Sequence, residues 1–440
     1  MNPSAPHSPS VPPHIAVIGA GVTGVTTCHA LLERGYRVTL IDRRRYAAME
    51  TSFANGGQLS ASNAEVWNRI STIVKGLKWM ARRDAPLLVN PRPSWHKASW
   101  MLSFMAAVRR YEANTVATVR LAIAAREHLH RLAEAENIDF NLEQRGILHI
   151  YESEREYRHG EKVNDLLAQG GLERRAVSPA EIREIEPAIA RDLYGGFFTP
   201  SDATGDIHKF TRGLAEACLR RGAEFLTNTE VRSLHVENGG VRLSLRNAGS
   251  EGEKGGEGEQ RFDAVVISAG VGSRELARQA GDRVNVYPVK GYSITVPLED
   301  EASQRAAPWV SLLDDETKIV ASRLGPKRYR VAGTAEFNGF NRDIRDDRVQ
   351  PLVRWVERYF PGVDTSACIP WAGLRPMMPD MMPHVGPGRS GHVFYNTGHG
   401  HLGWTLSPAT AQIVGDAVAS RLPVPRTVPA SGERVAAAAG

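Results

Sequence analysis

Three cysteines in 440 residues, at positions 28, 218 and 368, are too few and too far apart along the chain for a disulfide framework. They form no C-x-x-C and no Cys/His cluster, so zinc is not expected and a reducing compartment is the default. No stretch approaches the roughly 20 apolar residues that a membrane span needs, which predicts a soluble or peripheral protein. Charge of one sign is lacking too: 54 basic side chains against 49 acidic ones leave +5. With no basic run interleaved with aromatics, nucleic acid is not an expected partner. Internal repeats are absent. Residues 1–13, MNPSAPHSPSVPP, are Pro/Ser-rich without an apolar signal core, and predict a disordered tail. A chain of this length can bury two sizeable cores.

What is present is concentrated at the start. HIAVIGAGVTGVTTCHALLERGYRVTLID, His14 to Asp42, reads as strand, glycine turn, helix, strand, with an acid at the end. Gly19, Gly21 and Gly24 have G-x-G-x-x-G spacing. The first permits the tight turn, the second lets backbone approach a pyrophosphate, and the third lets helix and strand pack closely. The helix N-terminus offers unpaired N–H groups to that pyrophosphate. Asp42 is placed to accept from the adenosine ribose and disfavours a 2′-phosphate. Arg43, Arg44 and Arg45 soften the case against NADP and equally suit a solvated strand exit.

Downstream, TSFANGGQLSASN (51–63) is too polar and turn-rich for an element interior. Residues 67–136 predict helix in at least two pieces split by NPRP (90–93), and QRGILHIY (144–151) predicts a strand. Ser178, Pro179 and Glu181 form a helix-start signal. A long amphipathic helix then stops at Gly222. Residues 241–270 read as two strands joined by a mobile polar loop over 248–260. VNVYPVKGYSITV and KRYRVAGTAEF alternate like antiparallel strands, whereas FDAVVISAG is a buried apolar strand ending on Ala269-Gly270. The expected fold class is α/β, a discontinuous Rossmann-like nucleotide domain plus a mixed or antiparallel-sheet substrate domain. The expected division is 14–62, 200–285 and 376–422 for the first, 63–199 and 286–375 for the second, and 423–440 as a flexible tail.

Six further motifs stand in order: METSFANGGQLS (49–60), DATGDIHKFT (202–211), YPVKGYSIT (287–295), LLDDETKI (312–319), AGLRPMMPDMMPHVG (372–386) and YNTGHGHLGWT (395–405). With the opening unit, they make the chain resemble the FAD-dependent D-amino-acid dehydrogenases, within the D-amino-acid oxidase/glycine oxidase superfamily. The resemblance runs from His14 to about Leu422. It implies FAD as cofactor and oxidation of a D-amino acid to an imino acid, by hydride transfer from Cα to flavin N5. Water then gives the 2-oxo acid and ammonia. It implies, too, a quinone or other respiratory carrier as the electron acceptor. Met381-Met382, His384 and His401 depart from the family pattern near the substrate side of the flavin. They leave room for a cyclic or N-substituted substrate such as D-proline, D-hydroxyproline or a sarcosine-like amine. A non-catalytic NAD-binding protein is the distant alternative.

The resemblance assigns cofactor contacts to Gly19, Gly21, Val22, Thr23, Gly24, Asp42 and Arg43 at the fingerprint. It adds Thr51, Ser52, Asn55, Gly56, Gly57 and Gln58 in the following loop, and Val231, Ala269, Gly270 and Gly373 further along. In the C-terminal turn it assigns Gly400, His401, Leu402, Gly403 and Trp404. There the amides of Gly400, Leu402 and Gly403 and the helix N-terminus suit negative charge at the pyrimidine end of reduced flavin. Arg375 in GLRP is the expected substrate-carboxylate clamp, since a guanidinium binds a carboxylate bidentately; an interface salt bridge is the alternative. Lys290 and Tyr292 share a strand face that points either at flavin and substrate or at solvent. His399 and His401 lack further ligands at metal spacing, so no metal is expected; a structural hydrogen bond competes with a pocket role. No side-chain base at Cα is assigned.

Trp67, Trp79, Trp95, Trp100 and Phe104 are interleaved with Lys75, Lys78, Arg82, Arg83, Lys97, Arg109 and Arg110. That mixture suits either a partly buried helical layer or peripheral contact with an anionic membrane. The expected location is the cytoplasm or the inner face of the cell membrane.

Overall fold

The apolar strand His14–Ile18 lies at the centre of a six-stranded sheet, between Arg37–Ile41 and Ala264–Ile267. Glu224–Leu226 extends it on one side, and Val393–Thr397 followed by His384–Pro387 on the other. All neighbours are parallel except the last pair. The computed structural model describes residues 11–72, 86–249 and 255–425. Trp79, Lys75, Lys78, Arg82 and Arg83, most of the two expected tails and the middle of the 248–260 segment lie outside the described residues.

Side chains on this central strand alternate between two covers, as a period of two demands. Ile15 and Val17 pack on the helices Val22–Glu33, Ile207–Arg220 and Gly403–Arg421. Ala16 and Ile18 pack on an antiparallel sheet of Thr229–Glu237, Gly240–Asn247 and Gly256–Phe262. That third strand corrects the expected long loop. GEGEQRF carries no apolar residue before Phe262, yet it pairs with Gly240–Asn247 because that strand's backbone otherwise has an unpaired edge. The fold also brings Cys28 and Cys218 into contact as free buried thiols.

The second large sheet has the order Ile369–Met377, Tyr287–Pro297, Arg328–Phe337, Ile319–Arg323, Ser311–Asp314, Ile147–Tyr151, Gly195–Thr199, Arg175–Val177. It is mostly antiparallel, as its alternating strands predict. Leu87–Val89 joins Arg328–Phe337 as a short parallel strand. This is a second correction, since that segment was expected to be helical; its backbone finds ladder partners at Ala335–Phe337 instead. Helices Trp95–Ala106 and Tyr111–Ala135 follow. The Ser178 capping box forms as expected, with Glu181 reaching back. Among the described residues, no helix is long and apolar enough to cross a membrane.

Candidate active site

Two cavities adjoin where the sheets meet, and Thr51, Asn55, Arg375 and His401 line both. The first follows the fingerprint. Gly19 has φ +104°, and a Cβ there would sit 2.5 Å from the Ser268 carbonyl oxygen. A Cβ on Gly24 would sit 1.7 Å from the Gly19 carbonyl oxygen, so Gly24 packs the helix on the turn and lies outside the cavity. The Ser52 hydroxyl accepts from the Val22 amide at 3.0 Å and fixes the loop against the helix start.

Asp42 ends the second strand as expected. Its carboxylate accepts from the amides of Ala20 (2.7 Å) and Arg44 (2.8 Å), which leaves lone pairs for a ribose hydroxyl. Burial pushes this carboxyl up, against the pull of those amides and of Arg43. Arg43 and Arg44 are both tied to Glu50. Val231, Ala269, Gly270, Thr23, Gly400, Gly403 and Trp404 complete the lining. The Ser268 hydroxyl and the Trp404 indole N–H, on residues that line the same cavity, are buried and without a protein partner. These orphaned polar atoms, the glycine cradle and the ribose-ready acid fit a dinucleotide.

The second cavity opens beside it. Gly56, Gln58, Tyr292, Gly373 and Leu402 line it, together with Trp67, Thr334 and Trp371. Gln58 donates to the Ser311 hydroxyl (2.8 Å) and the Leu312 carbonyl (3.0 Å). At the junction, Arg375 donates from Nη1 to the Thr334 carbonyl at 3.1 Å. Burial alone pulls its guanidinium down to about 10, and among the described residues no carboxylate pairs with it. A partly desolvated cation without a counter-ion is costly, and an anionic ligand removes that cost.

The profile of the FAD-dependent oxidoreductases matches residues 14–417. The chain belongs to that family. FAD is therefore the cofactor that the first cavity fits. This FAD-dependent oxidoreductase is 58% identical over 412 residues to a Mesorhizobium japonicum protein named D-amino acid dehydrogenase 3, covering 94% of this chain and 98% of the relative. It is 41% identical to a D-amino acid dehydrogenase of Paramagnetospirillum magneticum, over 92% and 95% of the two chains. Its fold resembles that of glycine oxidase from Bacillus cereus, with a TM-score of 0.69 at 22% identity over 93% and 95%.

Most of the oxidoreductase's expected site residues gather at the two cavities; Gly24, Gly57 and Lys290 line neither. Lys290 is fully buried, with Nζ 3.1 Å from Glu336 and bonded to Asn341 (2.6 Å) and the Asp343 carbonyl (3.0 Å). Tyr292 donates to the same Glu336 at 2.9 Å, which with burial raises its phenol well above the ordinary value. The solvated-face reading of this pair is thus overturned, because helix Asp346–Tyr359 packs over the strand. The Tyr292 side chain packs with Val349 and Leu352 under that helix, on the sheet face away from Gly291 and Arg375, and its hydroxyl is committed to Glu336; its expected role as a pocket wall or substrate donor is corrected, although the residue borders the cavity.

Of the three amides expected at the pyrimidine end, that of Leu402 donates to the His399 carbonyl at 3.1 Å. His401 stacks on Trp67 and lies 3.3 Å from the Asn63 carbonyl; burial holds it down to about 4, so it is neutral at pH 7. His399 is likewise held down to about 3 by burial, and bonds Thr410. Met381, Met382 and His384 line neither cavity, which corrects their expected approach to the substrate side. Met381 packs with Trp100 and Met377, Met382 lies against Thr118, and His384 tilts on Tyr395.

Sequence reasoning missed the polar end of the second cavity. His149 lies 3.0 Å from both the Ser62 hydroxyl and Asp315. Tyr151 and Lys318 also bond Asp315. Burial alone would raise Asp315, but Lys318, His149 and Arg174 outweigh it and hold it well below the ordinary value. The LLDDETKI motif hinted at this cluster; its partners come from a strand more than 160 residues earlier. Thr334 was missed as well. It is a β-branched residue at φ +53°, a conformation that costs roughly 1–3 kcal/mol.

Proposed function

We propose that this protein oxidises D-amino acids to imino acids, which water hydrolyses to 2-oxo acids and ammonia. The observation that carries this reading is the uncompensated charge of Arg375 at the junction of the two cavities. FAD bound in the first cavity supplies the two-electron acceptor for the hydride leaving Cα.

The chain's own residues position the substrate. Arg375 binds the α-carboxylate through a planar fork, which selects amino acids over plain amines. Trp371 and Trp67 give the substrate an aromatic surround. The neutral His401 ring at the junction adds no charge against the amine, which must be unprotonated for its lone pair to drive out the hydride. Residues 14–62, 200–285 and 376–422 form the FAD-binding part in this reading, supported by the shared six-stranded sheet. Residues 63–199 and 286–375 carry the substrate side.

The electrons pass to a quinone or another respiratory carrier, consistent with the dehydrogenase names of the relatives. Peripheral contact with an anionic membrane follows from the helix Trp95–Ala106. Trp95, Leu102 and Met105 are exposed at helical spacing, with Arg109 and Arg110 exposed just beyond. Trp100, by contrast, is buried and donates to the Met377 carbonyl, and so belongs to a packed layer.

The test is anaerobic addition of D-alanine, D-proline and cis-4-hydroxy-D-proline, separately, to the purified yellow protein, with L-alanine as control. Bleaching by a D-enantiomer alone supports the reading, and which compound bleaches fastest separates primary from cyclic amines. Bleaching by none of them, or by L-alanine equally, would sink it.

A further inference from the structure

The strand that bears Tyr292 pairs out of step with the one that bears Thr334. Lys290 faces Glu336 and Tyr292 faces Gly333, so two steps on one strand meet three on the other. Gly291 therefore faces both Thr334 and Ala335, which defines a β-bulge. Thr334 takes the left-handed conformation at φ +53°. Its neighbours hold it there. The Ala335 amide donates to the Pro86 carbonyl at 2.7 Å, and Lys290 and Tyr292, on either side of Gly291, both bond Glu336.

The bulge re-aims two groups. The Thr334 carbonyl turns onto Arg375 Nη1, and the guanidinium passes over Gly291, where a Cβ would lie 2.0 Å from Nη1. The Thr334 hydroxyl is buried, has no protein partner, and belongs to a residue lining the second cavity. Hydroxyl and carbonyl sit on one residue, so the hydroxyl is within a side chain's reach of the guanidinium. Glycine or asparagine would adopt this backbone with less strain. A threonine in this strained position, with its hydroxyl buried and unpartnered, points to a use for that hydroxyl.

We propose that Thr334 is a substrate-contacting residue whose hydroxyl donates to the carboxylate bound by Arg375, while its carbonyl fixes the guanidinium's orientation. The inference rests on the reading of Arg375 as the carboxylate clamp. It gives the site three converging donors and narrows its ligands to compounds with a planar α-carboxylate.

The experiment is titration of the FAD-loaded, full-length protein with benzoate, followed by the change in its visible spectrum, alongside D-alanine kinetics. Thr334→Gly keeps the bulge and removes the hydroxyl, Thr334→Val removes it isosterically, and Thr334→Ser retains it. The benzoate Kd and the D-alanine KM rise about tenfold or more in the Gly and Val variants, with kcat less affected, and stay within about threefold in Ser. Wild-type benzoate affinity in Thr334→Gly, or an affinity in Thr334→Ser as weak as in Gly, overturns the proposal. If Thr334→Val fails to load FAD, the Gly and Ser pair decides. Arg375→Leu separates the two readings. Benzoate binding lost there but kept in Thr334→Gly overturns only the role of Thr334, and binding kept in both overturns the clamp.

Discussion

Lys290 and Arg375 are cations on neighbouring, directly paired strands, the first fully buried and the second half-buried at the cavity wall, and they have opposite fates. Lys290 stands opposite Leu374 in the ladder, and Arg375 opposite Val289. One ammonium is closed by Glu336, Asn341 and a carbonyl. The guanidinium has one carbonyl and no carboxylate among the described residues. A buried charge that has its counter-ion contributes to the fold, whereas one that lacks it is held ready for a ligand. Motif and strand pattern made both cations candidate substrate residues; only the partners tell them apart.

Replacing Arg375 by Leu breaks the comparison most. We expect kcat/KM for D-amino acids to fall by about three to four orders of magnitude, with the FAD still bound. The ligand-free protein should gain a little thermal stability, because a half-buried charge without a counter-ion has been removed. A lower Tm would show that Arg375 is structurally paired after all. Lys290→Met should do the reverse. It removes the nearest cation from the buried Glu336 and leaves Arg345 at 3.5 Å with the Tyr292 and Asn338 donors, which lowers the denaturation midpoint, while protein that still folds keeps its benzoate affinity within a few fold.

A pH series sharpens the contrast. Arg375 in the free protein titrates at about 10, lowered by burial. Benzoate binds only the charged form and so raises this value. Affinity should be level from pH 7 to 9, then fall towards tenfold per unit above about 10. An affinity level through pH 11 would mean that the guanidinium keeps its ordinary value in the free protein and that burial does not depress it. The smallest effect belongs to Thr51, whose hydroxyl donates to the Leu374 carbonyl at 2.8 Å beside the clamp. Thr51→Ala should raise the D-alanine KM about two- to fivefold with kcat nearly unchanged.

Legibility followed range along the chain. The unit from His14 to Asp42 was readable because its strand, turn, helix and acid are contiguous and each glycine has a local steric job. The alternating strands of the larger sheet were readable for the same reason. Gly256–Phe262 and Leu87–Val89 were not, since one is polar and the other short, and both are strands only because a neighbour has a free edge. The departures at Met381, Met382 and His384 misled, since closeness in sequence to GLRP did not carry them into a cavity.

The sequence by itself determined the dinucleotide cradle, the apolar central strands and the arginine of GLRP, because these depend on spacing within a few dozen residues. Only the tertiary structure decided which of the two cations lacks a counter-ion, where the bulge falls and what faces the second cavity. Those outcomes are set by strand register and burial between segments far apart in the chain, and a counter-ion 46 residues away, as Glu336 is from Lys290, leaves no local mark.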